Sequence, residues 1–334
     1  MTTAIALFSG GLDSIVACRV VQAQGITVRA VKFVTPFFGY RLLARQQEYV
    51  AKIRALYDID LVLRDVSDPY CAMLAKPPHG YGKNFNPCID CKILLLQEAR
   101  RMMEEQGAEF LITGEVVGQR PMSQRRDTLR LIEKDSGCEG ILLRPLCAKL
   151  QNPTQAELAG LVDREQLLSF RGRGRQPQIE LAASFGIHDF PSPAGGCMLT
   201  DPILSKRIAA YYANASQVRV ADLLLLQVGR QLRLPHGGWL AMGRDEREND
   251  RIEALQQPGD FLFGMTERAG PTALLRYSSH AGDMSVAASL VVRFGKKTGP
   301  DEEAAATVRF TSTAGEGQMV ASPLADDVFQ EWYL

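Results

Sequence analysis

Over the first 150 residues, short apolar runs alternate with longer stretches in which apolar positions recur every three or four residues. Residues 3–8 form the first run. A glycine turn and a helical pattern over 13–24 follow, with Gly25 as a stop signal. A second run at 28–34, a helical stretch at about 42–57 and a third run at 61–66 continue the alternation. Strands and helices of this length predict a parallel sheet covered on both faces. Residues 76–88, rich in Gly, Pro and Asn, read as a functional loop. Beyond it the pattern predicts a helix over 90–106, a strand over 110–113 ending at Gly114, a helix over 123–134 and a last strand at 140–143. Pro145 and Pro153 bracket the end of this region.

Residues from about 150 to 212 read as a small helical extension, interrupted at Arg171-Gly172-Arg173-Gly174-Arg175. From about 218 onward, short β-like runs at 261–263, 273–276, 290–294 and 306–310 alternate with turns, as in a separate α+β module. The expected architecture is an α/β doubly wound parallel sheet over 1–149, a helical extension carrying Cys197 over 150–214, and an α+β domain over 215–334. There is no internal repeat and no long low-complexity tract.

Composition narrows the class only slightly. Hydrophobic residues at 46% and charged residues at 23% are ordinary globular usage, enough for a sizeable core. Lys+Arg and Asp+Glu both number 38, so any basic surface for a nucleic acid must be local. No stretch reaches the roughly 18 apolar residues that span a bilayer, and no membrane partner is expected. The first residues, Met1-Thr2-Thr3-Ala4, lack the basic start of a signal peptide. Seven cysteines, an odd number, fit free or metal-bound thiols in a reducing compartment, so the cytoplasm is the expected location. Oligomeric state is not legible.

Ser9-Gly10-Gly11-Leu12-Asp13-Ser14 lies between the first strand and the first helix. Glycines there let the backbone turn sharply and bring N–H groups to an anion, and the helix start adds donors and partial positive charge. Ser9 and Ser14 offer hydroxyls. Asp13 would repel a bare phosphate but can act through Mg²⁺. A G-x-x-x-x-G-K-[ST] loop is absent. The segment matches in full the SGGxDS signature of the PP-loop ATP-pyrophosphatases, which this chain resembles over about residues 1–200. The resemblance implies an adenine nucleotide alpha-hydrolase-like fold, with ATP cleaved between its α and β phosphates and AMP left on the substrate. Ligands in such folds sit beyond the carboxyl ends of strands, which makes Phe33, in Val31-Lys32-Phe33, either an adenine wall or plain core. Thr113-Gly114-Glu115-Val116-Val117-Gly118-Gln119 resembles the TGExxGQ segment of 4-thiouridine synthases, making Gly114 and Gln119 further nucleotide-site candidates.

Cys88 and Cys91, in Asn86-Pro87-Cys88-Ile89-Asp90-Cys91, stand at the mouth of a predicted helix, where a thiolate gains from the helix N-terminus. Cys197 lies in a second glycine-softened loop, Pro193-Ala194-Gly195-Gly196-Cys197-Met198. Cys18, Cys71, Cys138 and Cys147 show no partner spacing, nor do His79, His188, His236 and His280. The pattern is similar to the thiouridylase branch of the PP-loop family, which implies that Cys91 and Cys197 are the paired functional positions. With Cys88 they could hold three irons of a [4Fe–4S] cluster, the reading favoured here. A persulfide on Cys91 resolved by Cys197 is the rival. A zinc site ranks last, since four ligands would be needed.

Arg120, Arg125, Arg126 and Arg130 follow the nucleotide segment, and Arg164, Arg171, Arg173 and Arg175 form a second group. Each suits phosphate contacts or a solvated face. Over about residues 220–334 the chain resembles the NFACT-R domain, an RNA-binding unit, through Gly243-Arg244-Asp245-Glu246-Arg247-Glu248-Asn249-Asp250, then Gly259-Asp260-Phe261 and the Gly270-Pro271 turn. Neither a THUMP domain nor a rhodanese domain is legible beside the PP-loop region. The resemblances together imply ATP-dependent thiolation of a tRNA uridine, with sulfide or a persulfide carrier as sulfur donor. The alternatives are a PP-loop amidase or ligase that adenylates a small acid, and an RNA quality-control factor that only binds nucleotide.

Overall fold

Strand β1 (Thr3–Leu7) is the centre of the first sheet. It pairs in parallel with β2 (Thr27–Val34) on one side and β4 (Phe110–Thr113) on the other. β3 (Asp60–Asp65) lies outside β2 and β5 (Leu142–Leu143) outside β4, giving the order β3-β2-β1-β4-β5. The computed structural model describes residues 2–192, 196–296 and 305–334. Met1, Lys297, and Pro193, Ala194 and Gly195 of the Cys197 loop lie outside the described residues.

Strand periodicity explains the layering, because successive side chains face opposite sides of a sheet. Ala4 and Ala6 of β1 join one core with Leu12, Ile15 and Val16 of α1 (Leu12–Gln22). Ile5 joins the other core, under α4 (Cys88–Gln106), where Ile93, Leu96, Ala99 and Met102 make a stripe at helical spacing. α4 ends at Gly107, whose φ of +61° suits the left-handed cap position that glycine adopts at little cost. α2 (Gln46–Tyr57) precedes β3, and α5 (Arg126–Ser136) precedes β5. A helix not anticipated from the pattern, α3 (Ser67–Ala75), follows β3.

The chain divides into two compact units, Met1–Asp201 and Pro202–Leu334. The boundary therefore cuts through the expected extension at 150–214. Val162, Leu167, Ala182 and Ile187, with the short helix α6 (Gln155–Leu158) and α7 (Gln176–Ser184), contribute to the core around α1 and belong to the first unit. Helix α8 (Pro202–Asn214) belongs to the second. The burial partner of the apolar positions in 150–190, α1, lies far off in sequence, which is why local pattern alone did not assign them to the first unit's core.

In the second unit α9 (Val220–Leu225) leads into an antiparallel sheet. Its strands are β6 (Arg230–Arg233), β7 (Trp239–Met242), β8 (Phe261–Met265), β9 (Ala273–Arg276), β10 (Ala306–Ser312) and β11 (Gly315–Ala321), in the order β11-β10-β8-β9-β7-β6. Residues 290–294, expected as a strand, are instead the end of helix α11 (Ala281–Arg293) and its cap. A short apolar run with valines fits a buried helix as well as a strand. Here Ala287, Ala288, Leu290 and Val291 pack on the sheet's core, and His280 caps the helix start. In the Gly243–Asp250 run, Asp245 caps α10 (Glu246–Glu253), accepting from Glu248 N at 2.9 Å. Asn249 Oδ1 accepts from Thr272 N at 2.9 Å. The motif thus staples a helix to the strand entry.

Arg276, 3% exposed, holds Asp222 at 2.8 Å and Asp260 at 2.7 Å in the second unit's interior. Removing one member of such a buried network strands the others' charge. Arg276→Ala is expected to destabilise this unit by about 3–5 kcal/mol. Both tryptophans, Trp239 and Trp332, lie in this unit, so urea unfolding followed by tryptophan fluorescence checks it directly.

Candidate active site

The turn after β1 is built by its own side chains. Gly10 has φ +88°, and a Cβ there would lie 3.0 Å from the Tyr49 hydroxyl. Ser14 Oγ donates to Gly11 O at 2.8 Å and accepts from Gly10 N at 3.2 Å, fixing the bend. Gly11 starts α1 without a side-chain cap, leaving first-turn N–H groups for an anion. Asp13 Oδ2 accepts from Gln119 Nε2 at 3.1 Å, while Asp13 Oδ1 is buried with no donor. A buried carboxylate oxygen without a partner is costly. It fits a hard cation such as Mg²⁺.

Lys32 was passed over in the sequence as part of β2. Its Nζ donates to the Ser9 carbonyl and lies 5.9 Å from the Tyr49 ring centroid. Among the described residues no carboxylate forms an ion pair with it. Burial lowers its pKa to about 8, so this ammonium sits at the phosphate-type turn with its charge poorly compensated. A lone lysine at a strand's carboxyl end was the available signal. Phe33, 6% exposed, packs in the core under α4, so no more than an edge could border an adenine.

Gly114 lets the end of β4 cross the start of α1, since a Cβ would lie 2.5 Å from the carbonyl of Asp13 and 2.7 Å from Ser14 N. The next residue, Glu115, is buried with Lys92 Nζ at 3.2 Å and Arg144 Nε at 3.1 Å. Burial alone would push its carboxyl up; Lys92 and Arg144 outweigh this and bring it down to about 2. Segment 113–120 therefore touches Asp13 through Gln119 and, through Glu115, the residue beside Cys91.

The three singled-out cysteines share one neighbourhood. Cys88 and Cys91 occupy the first turn of α4. The Tyr70 hydroxyl of α3 hydrogen-bonds Cys91 and feels the charge of both Cys197 and Cys88, while burial is the largest cause of its raised pKa. Asn86 Nδ2 donates to Cys88 Sγ at 3.3 Å. Asn84 Nδ2 donates to Thr200 O at 2.5 Å, and Thr200 N to Cys197 O at 2.8 Å, joining the two cysteine loops. His79 clamps its loop between Asp90 at 2.8 Å and Asp135 at 3.0 Å. Burial pushes the Cys91 thiol up to about 12 despite Lys92 and Tyr70, so the expected gain from the helix terminus does not dominate. Cys197 is also raised by burial. Among the described residues no three His, Cys, Asp or Glu side chains converge on a point suited to one ion. A cubane instead places its thiolates at separate corners. Tyr70 and His79 carried no motif and were missed. Cys18, Cys71, Cys138 and Cys147 are buried.

Both arginine groups lie in the first unit, and their loops run side by side: Gly172 N donates to Val117 O at 2.8 Å, beside a Val117–Arg171 bridge. Arg164 departs from the expected surface group. It pairs with Glu157 and donates to the carbonyls of Ala148 and Gln151, a structural brace.

A parallel α/β sheet with a glycine turn, helix start and orphan carboxylate beyond its central strand is the arrangement that the PP-loop resemblance implied for the first unit. Residues 1–154 match the family described as Thiamine biosynthesis protein (ThiI), and residues 229–333 that described as NFACT protein RNA binding domain. The two matches cover separate stretches, one in each compact unit. It is similar to a probable tRNA sulfurtransferase of Methanosarcina mazei, at 31% identity over 123 residues, covering 34% of this chain and 28% of that protein. The chain's match spans less than a third of that relative's length. Among solved structures it is similar to a 4-thiouridine synthetase–RNA complex with bound ATP (21% identity, 68% of this chain and 52% of that one, TM-score 0.38). It is also similar to the U34-tRNA thiolase NcsA from Methanococcus maripaludis with its [4Fe–4S] cluster (16% identity, 68% and 73%, TM-score 0.33).

Glu115 supplies a pH test. Its pKa is depressed in the folded state, so its contribution is complete above about 4.5 and is lost as pH falls toward about 2. Glu115→Gln should cost about 3 kcal/mol near neutrality. The gap to wild type in urea midpoints should narrow across that acid window.

Proposed function

We propose that this chain thiolates a uridine of tRNA, using ATP to activate the base. The carrying observation is that one segment, residues 113–120, adjoins both candidate half-sites: Gln119 binds Asp13 at the glycine turn, and Glu115 pairs with Lys92 next to Cys91. Arg120 adds a positive charge felt by Cys197. The ThiI domain, the RNA-binding domain and the similarity to a tRNA sulfurtransferase support the same reading.

The chemistry needs both halves. A pyrimidine carbonyl oxygen is a poor leaving group. If it attacks the α-phosphorus of ATP, pyrophosphate departs and the oxygen becomes part of AMP; sulfide can then add at that carbon and expel AMP. The bend at Ser9, Gly10 and Gly11 would present the uncapped first-turn N–H groups of α1 to the phosphates. Asp13 would hold Mg²⁺ through Oδ1 while Gln119 orients the carboxylate, and Lys32 would neutralise phosphate charge. Cys88, Cys91 and Cys197 would hold a [4Fe–4S] cluster, which when bound supplies an open iron for sulfide. Tyr70 positions Cys91 by its hydroxyl. The adjoining arginine loops, at Arg120 and Arg171, Arg173 and Arg175, would meet the RNA backbone.

Protein purified without oxygen should be brown, with about four irons per chain, and Cys88→Ala, Cys91→Ala or Cys197→Ala should lose both iron and thiolation. A colourless active enzyme would favour a Cys91 persulfide. Mass spectrometry of tRNA nucleosides from a deletion strain should show one thiolated uridine missing; an unchanged profile sinks the reading and favours an adenylating ligase.

ATP binding tests the lysine separately. Lys32→Met should weaken ATP roughly 10- to 100-fold, as for losing a charge-assisted hydrogen bond, with adenosine little changed. Wild-type affinity should also fall as pH rises through about 8, where the free ammonium loses its proton. Lys32→Arg should abolish that decline, and calorimetry reads all three.

A further inference from the structure

One aromatic residue of the second unit is held in an unfavourable backbone conformation without being buried. Tyr277, directly after β9, has φ +61° and is 53% exposed. The left-handed region is a genuine outlier for a bulky side chain, and such outliers persist where the surroundings enforce them. The enforcement is visible. Tyr277 donates its hydroxyl to Asp222 Oδ2, and Asp222, 1% exposed, also accepts from Tyr211 at 2.6 Å and from Arg276 at 2.8 Å. Trp239 lies 6.4 Å from the Tyr277 ring at an interplanar angle of 25°. Gly238 admits the following turn, since a Cβ there would lie 2.8 Å from Ser278 Cβ.

The Arg219 guanidinium lies 6.0 Å from the Tyr277 ring centroid. Three residues on, His280 stacks on His236 at 3.8 Å. Arg219, His236, Tyr277 and His280 are all exposed. With its hydroxyl committed inward, Tyr277 offers a ligand chiefly its π face.

We propose that Tyr277 is a stacking platform for an unpaired RNA base, with Arg219 and the His236–His280 pair beside the adjoining phosphates. The proposal rests on the RNA-binding reading of this domain and adds the form of RNA and the site. Unstacked bases are taken up on aromatic faces flanked by cations, whereas a duplex keeps its bases stacked within itself. A rigid ring is suited to this because no side-chain freedom is lost on binding.

The test uses the full chain, a short fluorescent single-stranded RNA without secondary structure, and the same sequence annealed to its complement. Tyr277→Asn removes the ring but keeps a residue that tolerates left-handed backbone. Tyr277→Phe keeps the ring without the tether. Asn should bind the single strand roughly 5- to 100-fold more weakly, the range for one lost base–aromatic stack. Quenching of Trp239 fluorescence by the RNA should be lost with it, and duplex binding should change little. Phe should stay close to wild type. Equal single-strand affinity for Asn and wild type overturns the platform, as does a Phe variant as weak as Asn, which would make Tyr277 a structural tether. Preference of wild type for the duplex also overturns it. tRNA thiolation is read independently, so these failures leave that reading standing; no binding to either RNA removes the platform together with the RNA-binding reading of the domain.

Discussion

A buried carboxylate, Glu115, organises the first unit's candidate site. It sits one residue past the glycine that lets β4 cross the start of α1, and it is matched by Lys92 and Arg144. A buried carboxylate with its cations removed would not stay charged, and cations without it would be stranded. The pairing therefore fixes the relative positions of the β4 end, the first turn of α4 and the residue after β5. Those are the elements from which the nucleotide turn and the cysteine neighbourhood are reached.

Around that fixed point, several groups are left electrostatically incomplete. Asp13 Oδ1 has no donor, and Lys32 is held near the same turn by a carbonyl instead of a carboxylate. A metal-bound polyphosphate at the turn would give each of them a partner. The cysteine neighbourhood is similar in kind: burial disfavours the Cys91 thiolate in the protein alone, and a metal partner would reverse that balance.

In the second unit the motif residues serve the fold. The residues that carry the NFACT resemblance, Asp245 and Asn249 among them, cap a helix and staple it to a strand entry. Tyr277, outside that run, is held at a left-handed φ at the surface of this unit. A motif can mark what makes a fold rather than what meets a ligand.

Apart from α3, the order of strands and helices in the first 150 residues was legible because each apolar run is short and a parallel sheet needs both faces covered. The glycine turn was legible because its neighbours in sequence are also its neighbours in space. The 290–294 run misled because period alone cannot separate a buried strand from a buried helix end. Lys32 and Tyr70 took their roles from Ser9 and Cys91, well separated in the chain, and Arg164 from Glu157 and the carbonyls of Ala148 and Gln151, which no periodicity links to it. Sequence by itself determined the local chemistry, namely which backbone could bend and which side chains could hold charge or sulfur. Tertiary structure decided which of those groups met, because burial and pairing energies depend on distances that only packing sets.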